Sequence, residues 1–519
     1  MKKRNLEKEI EILIRARYPI LFIESFEENR VEESLSKIAS ARGKKLFCWS
    51  CERGIYEYGT PLHSRKAIDE KTKDVSAALQ QVVDIVEPSL FVFKDIHPYM
   101  TDPGLVRKLR ELAHYLKTSF KTVVLISPQL RIPVELEKDI THLVYDTPDI
   151  QDLQELLNKI IKEVHEKANL KITLDDAIRE KLLDAALGLT LNEAENVFAK
   201  ALVMDTKLGA EDIPVIMAEK EQIIRKSGIL EFYSANETFA GIGGLEAMKE
   251  WLKKRQLAFS QKAKEFGLPA PKGILLIGVQ GCGKSLTAKA VSGLWKLPLL
   301  RLDVGKLFSS YIGSTEENMR RAIRLAESIA PAILWIDEIE KSFAGVQSSA
   351  FSDAGTAARV FGSFITWLQE KTAPVFVIAT ANSVEQLPPE LLRKGRFDEI
   401  FFVDLPMEIE RKQIFVIHLQ KRKRNPADFD LIKLCKESEG FSGAEIEQCI
   451  ISALFDVFAR KAPLTTDNIL ESLKETMPLS VLMKEKIEEL RGWAKGRARN
   501  ASYKEEIAVV YEQERNIEL

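Results

Sequence analysis

Eight consecutive residues, Gly278-Val279-Gln280-Gly281-Cys282-Gly283-Lys284-Ser285, carry the glycine, lysine and hydroxyl spacing of a loop that cradles phosphates. Glycines let successive backbone N–H groups converge on phosphate oxygens at the positive end of the following helix. Lys284 adds a point charge for the outer phosphates, and Ser285 offers a hydroxyl to magnesium. The ligand this predicts is a nucleoside triphosphate. A second set follows in Ala332-Ile333-Leu334-Trp335-Ile336-Asp337-Glu338, an apolar strand ending in two acids. Ligands of a parallel sheet lie outside the carboxyl ends of its strands, so Asp337 can hold the metal shell while Glu338 acts as general base or positions water. Val375 to Asn382 reads as another buried strand, closed by an amide that can hold the same water. Further on, Arg393 and Arg396 flank Gly395 after the turn at Pro388-Pro389, which exposes both.

The elements that must position these residues are strands entering the loop and the acids, with helices between them. The expected class is α/β: a P-loop NTPase fold with a parallel sheet flanked by helices, plus a helical lid. The loop, Asp337-Glu338, Asn382 and the Arg393/Arg396 pair resemble, in order and spacing, the AAA ATPases. The likeness covers about residues 237 to 475, with a large subdomain over 237–405 and a lid over 406–475. It implies ATP and Mg2+ as cofactors, with Ser285 and Asp337 on the metal. It also implies that Arg393 and Arg396 are arginine fingers serving a neighbouring subunit, hence a homo-oligomeric, hexamer-type ring.

Further segments match that family. Phe239-Ala240-Gly241-Ile242-Gly243-Gly244 resembles the segment whose Ile242 and Gly243 pack on adenine, and Leu286 and His418 fall where the nucleoside is contacted. Gly440-Phe441-Ser442-Gly443-Ala444-Glu445 resembles the start of the lid helix, with Gly443-Ala444 where other clades carry a sensor arginine. That points to the protein-remodelling clade. Tyr311-Ile312-Gly313 resembles the loop that lines a central pore and grips an extended polypeptide, although a tyrosine buried at a helix entrance would read the same way. Two departures stand out. The family's Asp-Gly, used between subunits, is replaced by Trp367-Leu368-Gln369-Glu370-Lys371, and Phe343 to Gly355 is rich in small residues and expected to be mobile.

With 519 residues the chain exceeds what one core supports. Its formal net charge of −2 gives no basic excess for nucleic acid. No apolar run approaches a membrane span, and the N-terminus lacks the pattern of a secretory signal, so a cytoplasmic or plastid-stromal location is expected. Five cysteines argue against a disulfide framework. Cys48-Trp49-Ser50-Cys51 has redox spacing without the flanking pattern of a redox site, and Cys282 is expected to be activated by the helix terminus beside it.

Residues 1 to about 210 repeat the later half without its chemistry. Strands at Tyr18–Ile23, Lys45–Trp49, Leu90–Asp95 and Thr122–Ile126 follow the same order, and Gly188-Leu189-Thr190-Leu191-Asn192-Glu193 echoes Gly440 to Glu445. In the phosphate-loop position stands Glu24-Ser25-Phe26-Glu27-Glu28-Asn29-Arg30, which would repel triphosphate. Asp95 lacks a following acid, and Ser127-Pro128-Gln129 replaces Asn382. This reads as a degenerate AAA-like domain without nucleotide, with an unrelated α/β domain as the alternative. Residues 211–236 read as a charged helical linker, and 476–519 as a helix ending in a loose polar tail. This organisation resembles AAA proteins of algal plastids and cyanobacteria, which implies a remodelling ATPase acting on a protein partner. A nucleotide-dependent switch or scaffold whose N-terminal domain docks a regulatory partner is the rival reading.

Overall fold

The computed structural model describes residues 2–61, 68–168, 172, 174–205, 207–233, 239–259, 263, 265–308, 314–341 and 354–503. The chain divides into two compact units, residues 1–216 and 217–519.

The first unit is built on six strands: β1 (Ile20–Glu24), β2 (Lys45–Ser50), β3 (Gly54–Glu57), β4 (Ser89–Lys94), β5 (Thr122–Ser127) and β6 (Ile140–Val144). Their order is β3-β2-β4-β5-β1-β6, parallel except for the β2–β3 pair. Successive side chains of a strand point to opposite faces, and here both faces are covered, so β1, β4 and β5 are almost continuously apolar. Ile20, Phe22, Phe91, Phe93, Val123 and Leu125 join one core with the helices Val75–Asp84 and Pro103–Leu116. Leu21, Ile23, Val92, Val124 and Ile126 join the other, beneath Val31, Leu35 and Ile38 of the helix Glu28–Ala41, whose spacing places them on one face. The helices Ile150–Ala168, Asp176–Ala186 and Leu191–Asp205 follow.

The second unit has seven strands: β7 (Leu230–Tyr233), β8 (Gly273–Gly278), β9 (Leu299–Leu302), β10 (Ala332–Ile336), β11 (Val375–Ala381), β12 (Glu399–Val403) and β13 (Arg499–Asn500). The order is β13-β12-β8-β11-β10-β9-β7, with β7 antiparallel to β9 and the remaining pairs parallel. Four further helices, Glu408–Lys421, Leu431–Glu437, Gly443–Ala459 and Thr466–Glu475, enclose a core of their own around Phe415, Ile446 and Ile469.

Setting aside β3, β7 and β13, the orders β2-β4-β5-β1-β6 and β9-β10-β11-β8-β12 are the same. The register aligns them residue by residue. Val123 N donates to Pro19 O as Val377 N donates to Lys272 O, and Ile20 faces Val123 as Gly273 faces Val377. Lys94, which faces Ile126, therefore occupies the level of Asp337, one residue beyond the pair Ile336–Ala379. Asp95 then matches Glu338, and both have left-handed backbones, with φ of 52° and 49°. This corrects the sequence-based alignment, which set Asp95 against the first of the two acids.

Two expectations need correcting at the edges. Residues 211–236 are not helical throughout, because the helix Ile213–Ser227 gives way to β7, which pairs along β9. The tail beyond Gly496 is not loose where it is described. Arg499 and Asn500 pair with β12, and Ala501 is fully buried, its N donating to Phe402 O and its O accepting from Met248 N. Trp493 packs on the sheet core, as an anchor should.

Candidate nucleotide site

The loop leaves β8 and enters the helix Lys284–Trp295. Gly278 must be glycine: a Cβ there would lie 1.9 Å from Val403 O. Gly281, at φ 72°, lies under the lid, where a Cβ would be 2.8 Å from Ser442 Oγ. Lys284 is buried, and its ammonium donates to Gly278 O at 2.8 Å and Val279 O at 2.7 Å. Burial pushes its pKa down to about 8, against the attraction of Glu340, Asp337 and Glu338.

At the carboxyl end of β10 the acids are linked into one hydrogen-bonded set. Asp337 Oδ1 accepts from Ser285 Oγ at 2.9 Å and from Thr380 Oγ1 at 2.7 Å. Thr380 Oγ1 in turn accepts from Glu338 N at 2.9 Å. Asn382 Nδ2 donates to Glu338 Oε1 at 3.1 Å, while Lys341 lies 2.5 Å from Glu338 Oε2. Ser285 and Asp337 thus present hard oxygens side by side. That set fits magnesium, which takes one or two protein ligands and fills its octahedron with phosphate and water.

Sequence reasoning missed Thr380 and Glu340. Glu340 is 4% exposed, accepts from Asn382 N at 2.9 Å, and leaves its other oxygen unpartnered. Burial raises its pKa. No local pattern marks Glu340: β10 ends at Ile336, and in the turn that follows Ile339 and Glu340 are both buried, so strand alternation does not sort them.

Of the residues that the resemblance sets around the nucleoside, Ile242 and Gly443-Ala444 lie against the phosphate loop. Ala444 N donates to Gly281 O at 3.0 Å, and a Cβ on Gly443 would lie 3.4 Å from that same oxygen. Gly243 leaves no room for a side chain against Ile414, 2.8 Å away, and the buried Ile242 lies 3.9 Å from where Gly283 would carry a Cβ. Glu410 ties these pieces together, since its Oε1 accepts from Leu245 N at 3.1 Å and from Ser502 Oγ at 2.5 Å. His418 sits one turn beyond Ile414 and lies 3.3 Å from Glu447; burial lowers its pKa. Leu286 is 45% exposed and Gln280 is exposed.

Cys282 departs from expectation. Burial pushes its thiol up to about 12, against the attraction of Lys284, the direction opposite to activation. Cys48 is buried and pushed well up for the same reason, and Cys51 is exposed.

Arg393 and Arg396 are not brought to this set. Arg393 is exposed, Arg396 half-buried with its Nε unpartnered, and among the described residues neither donates to Asp337 or Glu338. Their loop is anchored at the amino ends of the strands: Asp398 Oδ2 accepts from Lys272 N and Gly273 N, and Lys272 Nζ donates to Gly395 O. The phosphate loop lies at the other end of β8, roughly 16 Å away at ~3.3 Å per residue. Tyr311, Ile312 and residues 342–353 lie outside the described residues. In the segment Trp367 to Lys371, where the resemblance expects Asp-Gly, Leu368 is fully buried and Trp367 Nε1 donates to Glu327 at 2.8 Å, while Gln369 and Glu370 are exposed.

Comparison with known proteins agrees with this geometry. The family described as "ATPase family associated with various cellular activities (AAA)" matches residues 274–405. The N-terminal and second domains of "SpoVK-like AAA ATPase" match 6–145 and 151–227. The "Uncharacterized AAA domain-containing protein ycf46" of Guillardia theta is 42% identical over 506 residues, 95% of this chain and 96% of that protein. Its namesake in Trieres chinensis is 41% identical over 96% and 98%. The chain belongs to the ycf46 family of AAA ATPases. A more distant AAA relative, the "ATPase family protein 2 homolog" of Caenorhabditis elegans, is 33% identical over 45% of this chain and 33% of its own length. Membership in the AAA family implies nucleotide binding. Among the described residues no helix is long and apolar enough to cross a membrane.

Proposed function

We propose that this AAA protein hydrolyses Mg-ATP and uses the cycle to remodel or thread a protein partner, as a ring of identical subunits in the cytoplasm or a plastid stroma. One observation carries the hydrolytic reading: Ser285, Asp337, Thr380, Glu338 and Asn382 form a single hydrogen-bonded set beside Lys284. Ser285 and Asp337 would hold magnesium, which when bound with ATP would supply Lewis-acid stabilisation of the charge that develops on the phosphates. Glu338 takes the proton of the attacking water, and Asn382 holds the carboxylate for that role. Lys284 supplies the cation for the outer phosphates. Ile242-Gly243, His418 and Gly443-Ala444 enclose the nucleoside.

The ring rests on the Arg393/Arg396 loop. Its position at the opposite end of the strands from its own Glu338 supports a role at another copy's site. Tyr311 and Ile312 are proposed to grip the polypeptide. The altered segment Trp367 to Lys371 and an N-terminal unit without the nucleotide motifs favour a second reading, a slow ATP-dependent switch whose N-terminal unit docks a regulatory partner.

Light scattering of wild type and Glu338→Gln, with and without Mg-ATP, together with ATPase rate against protein concentration, separates the two. Hexamer-sized mass and a rate per chain that climbs with concentration are expected; a monomer with a flat, slow rate would replace the motor by the switch. Undiminished remodelling by Tyr311→Ala would remove the threading step.

A further inference from the structure

We propose that the N-terminal unit carries a binding site for a small phosphate-type dianion at the amino ends of β1, β2 and β5, on the opposite edge of the sheet from the crevice where a nucleotide would lie. A cavity of about 170 Å³ is lined there by Arg15, Arg17, Lys44, Phe120, Lys121 and Thr122, among other residues, and no Asp or Glu lines it. At ~30 Å³ per water this holds about five waters. It is below the roughly 300 Å³ at which drug-sized ligand sites begin. The space suits a phosphate group.

Among these cations Arg17 and Lys44 lie near enough to act on each other's charge, a repulsion that a bound anion would relieve. Arg15 is accounted for by the last turn of the helix Lys2–Arg15, where a cation is favoured, and the acid beside it, Glu11, is hydrogen-bonded to Arg42. Lys121 is buried and donates to Val82 O and Val83 O. Arg17 and Lys44 have no such explanation. Arg17 has a left-handed backbone, φ 59°, and its guanidinium lies 4.5 Å over the Phe120 ring. Lys44 donates one bond, to Phe120 O at 2.8 Å, and the remaining ammonium hydrogens are available to a ligand. Burial, and then the charge of Arg17, lower its pKa. Thr122 is a second, independent sign. It is 1% exposed, it lines the cavity, and its hydroxyl has no partner. A buried hydroxyl is costly when unpaired, and a phosphate oxygen would pair it.

The test uses the full chain as Lys284→Ala, without magnesium, to weaken phosphate binding at the other loop. Inorganic phosphate is titrated by calorimetry against chloride at matched ionic strength, with glycerol phosphate as a second arm. Saturable phosphate binding is expected, weakened about tenfold or more by Arg17→Ala with Lys44→Gln. Thr122→Val, which keeps the shape, should weaken it less, and neither change should alter the ATPase rate in an otherwise wild-type chain. Tighter binding of the ester would assign the site to a phosphorylated metabolite, and tighter binding of the free ion to phosphate itself. Absence of saturation, the same response to chloride, or equal affinity in folded Arg17→Ala/Lys44→Gln protein would overturn the proposal.

Discussion

Two strand-to-helix turns occupy the same place in two sheets of the same order, and they have opposite chemistry. Between β8 and its helix lie five residues, Val279 to Gly283, wide enough to turn backbone amides outward. Between β1 and its helix lie three, Ser25-Phe26-Glu27. There the charges are spent on one another. Glu27 accepts from Arg30 at 2.7 Å and from Leu191 N at 2.7 Å, and Arg30 reaches on to Asp152 at 2.9 Å and Asp146 O at 2.7 Å. Lys94, at the level of Asp337, lies 3.1 Å from Glu32 and donates to Tyr56 Oη at 2.9 Å. What persists is scaffold: the left-handed residue after the strand, and the capping box at the later helix. Thr190 with Glu193 and Ser442 with Glu445 make the same box, each hydroxyl donating at 2.8 Å. The topology supplies a crevice in both units; whether it holds a ligand depends on loop length and on whether its charges are already paired.

The largest effect expected from breaking this comparison is in the second unit. Arg393→Ala with Arg396→Ala should lower ATP turnover about 10³-fold, the lower range for an arginine finger. Mixing that variant with Glu338→Gln should restore part of the rate, since one keeps the base and the other the fingers. If the mixture stays inactive, action between subunits is wrong. Next comes Arg30→Met. Removing one partner from a buried ionic set costs about 3 kcal/mol, so the first unit should melt earlier in calorimetry while ATP turnover persists. Turnover lost along with folded mass would point to dependence of the second unit on the first. Glu338→Gln should cost about 10²-fold in turnover with ATP affinity retained, whereas Asp95→Asn, its counterpart by register, should change neither. A turnover loss in Asp95→Asn would mean the first crevice still does chemistry.

The smallest effect concerns Glu340. Its folded pKa is raised, so in the window just above 4.5 the folded state binds more protons than the unfolded, and its contribution to stability declines as pH rises there. Glu340→Gln keeps an acceptor for Asn382 N and should flatten that decline in unfolding curves taken across pH. An unchanged pH slope would show that Glu340 does not titrate as its burial demands.

Much of the candidate site was legible in the sequence because each part is local. A strand, a glycine turn and a helix are contiguous in Gly273 to Trp295, and so are β10 and its acids. The capping-box echo at Thr190 was legible for the same reason. Less legible were features that depend on pairing between distant segments. Leu230–Tyr233 reads as the end of a charged helix until β9 is beside it, and Arg499–Asn500 is too short to signal a strand without β12. Cys282 was misjudged because the helix terminus is visible in sequence while the burial that outweighs it is not.

The sequence by itself determined the AAA-type motifs and, through them, the class of ligand they imply, since glycine, lysine, hydroxyl and paired acids at these spacings have few other uses. It also determined that the first half lacks them. Tertiary structure alone decided the register that sets Lys94 at the level of Asp337, the burial of Glu340, the placement of Arg393 and Arg396 at the far edge of the sheet, and the cation-lined cavity before β1 and β5. These depend on which strands become neighbours and what is removed from water when they do, and neither is written in the spacing of any one segment.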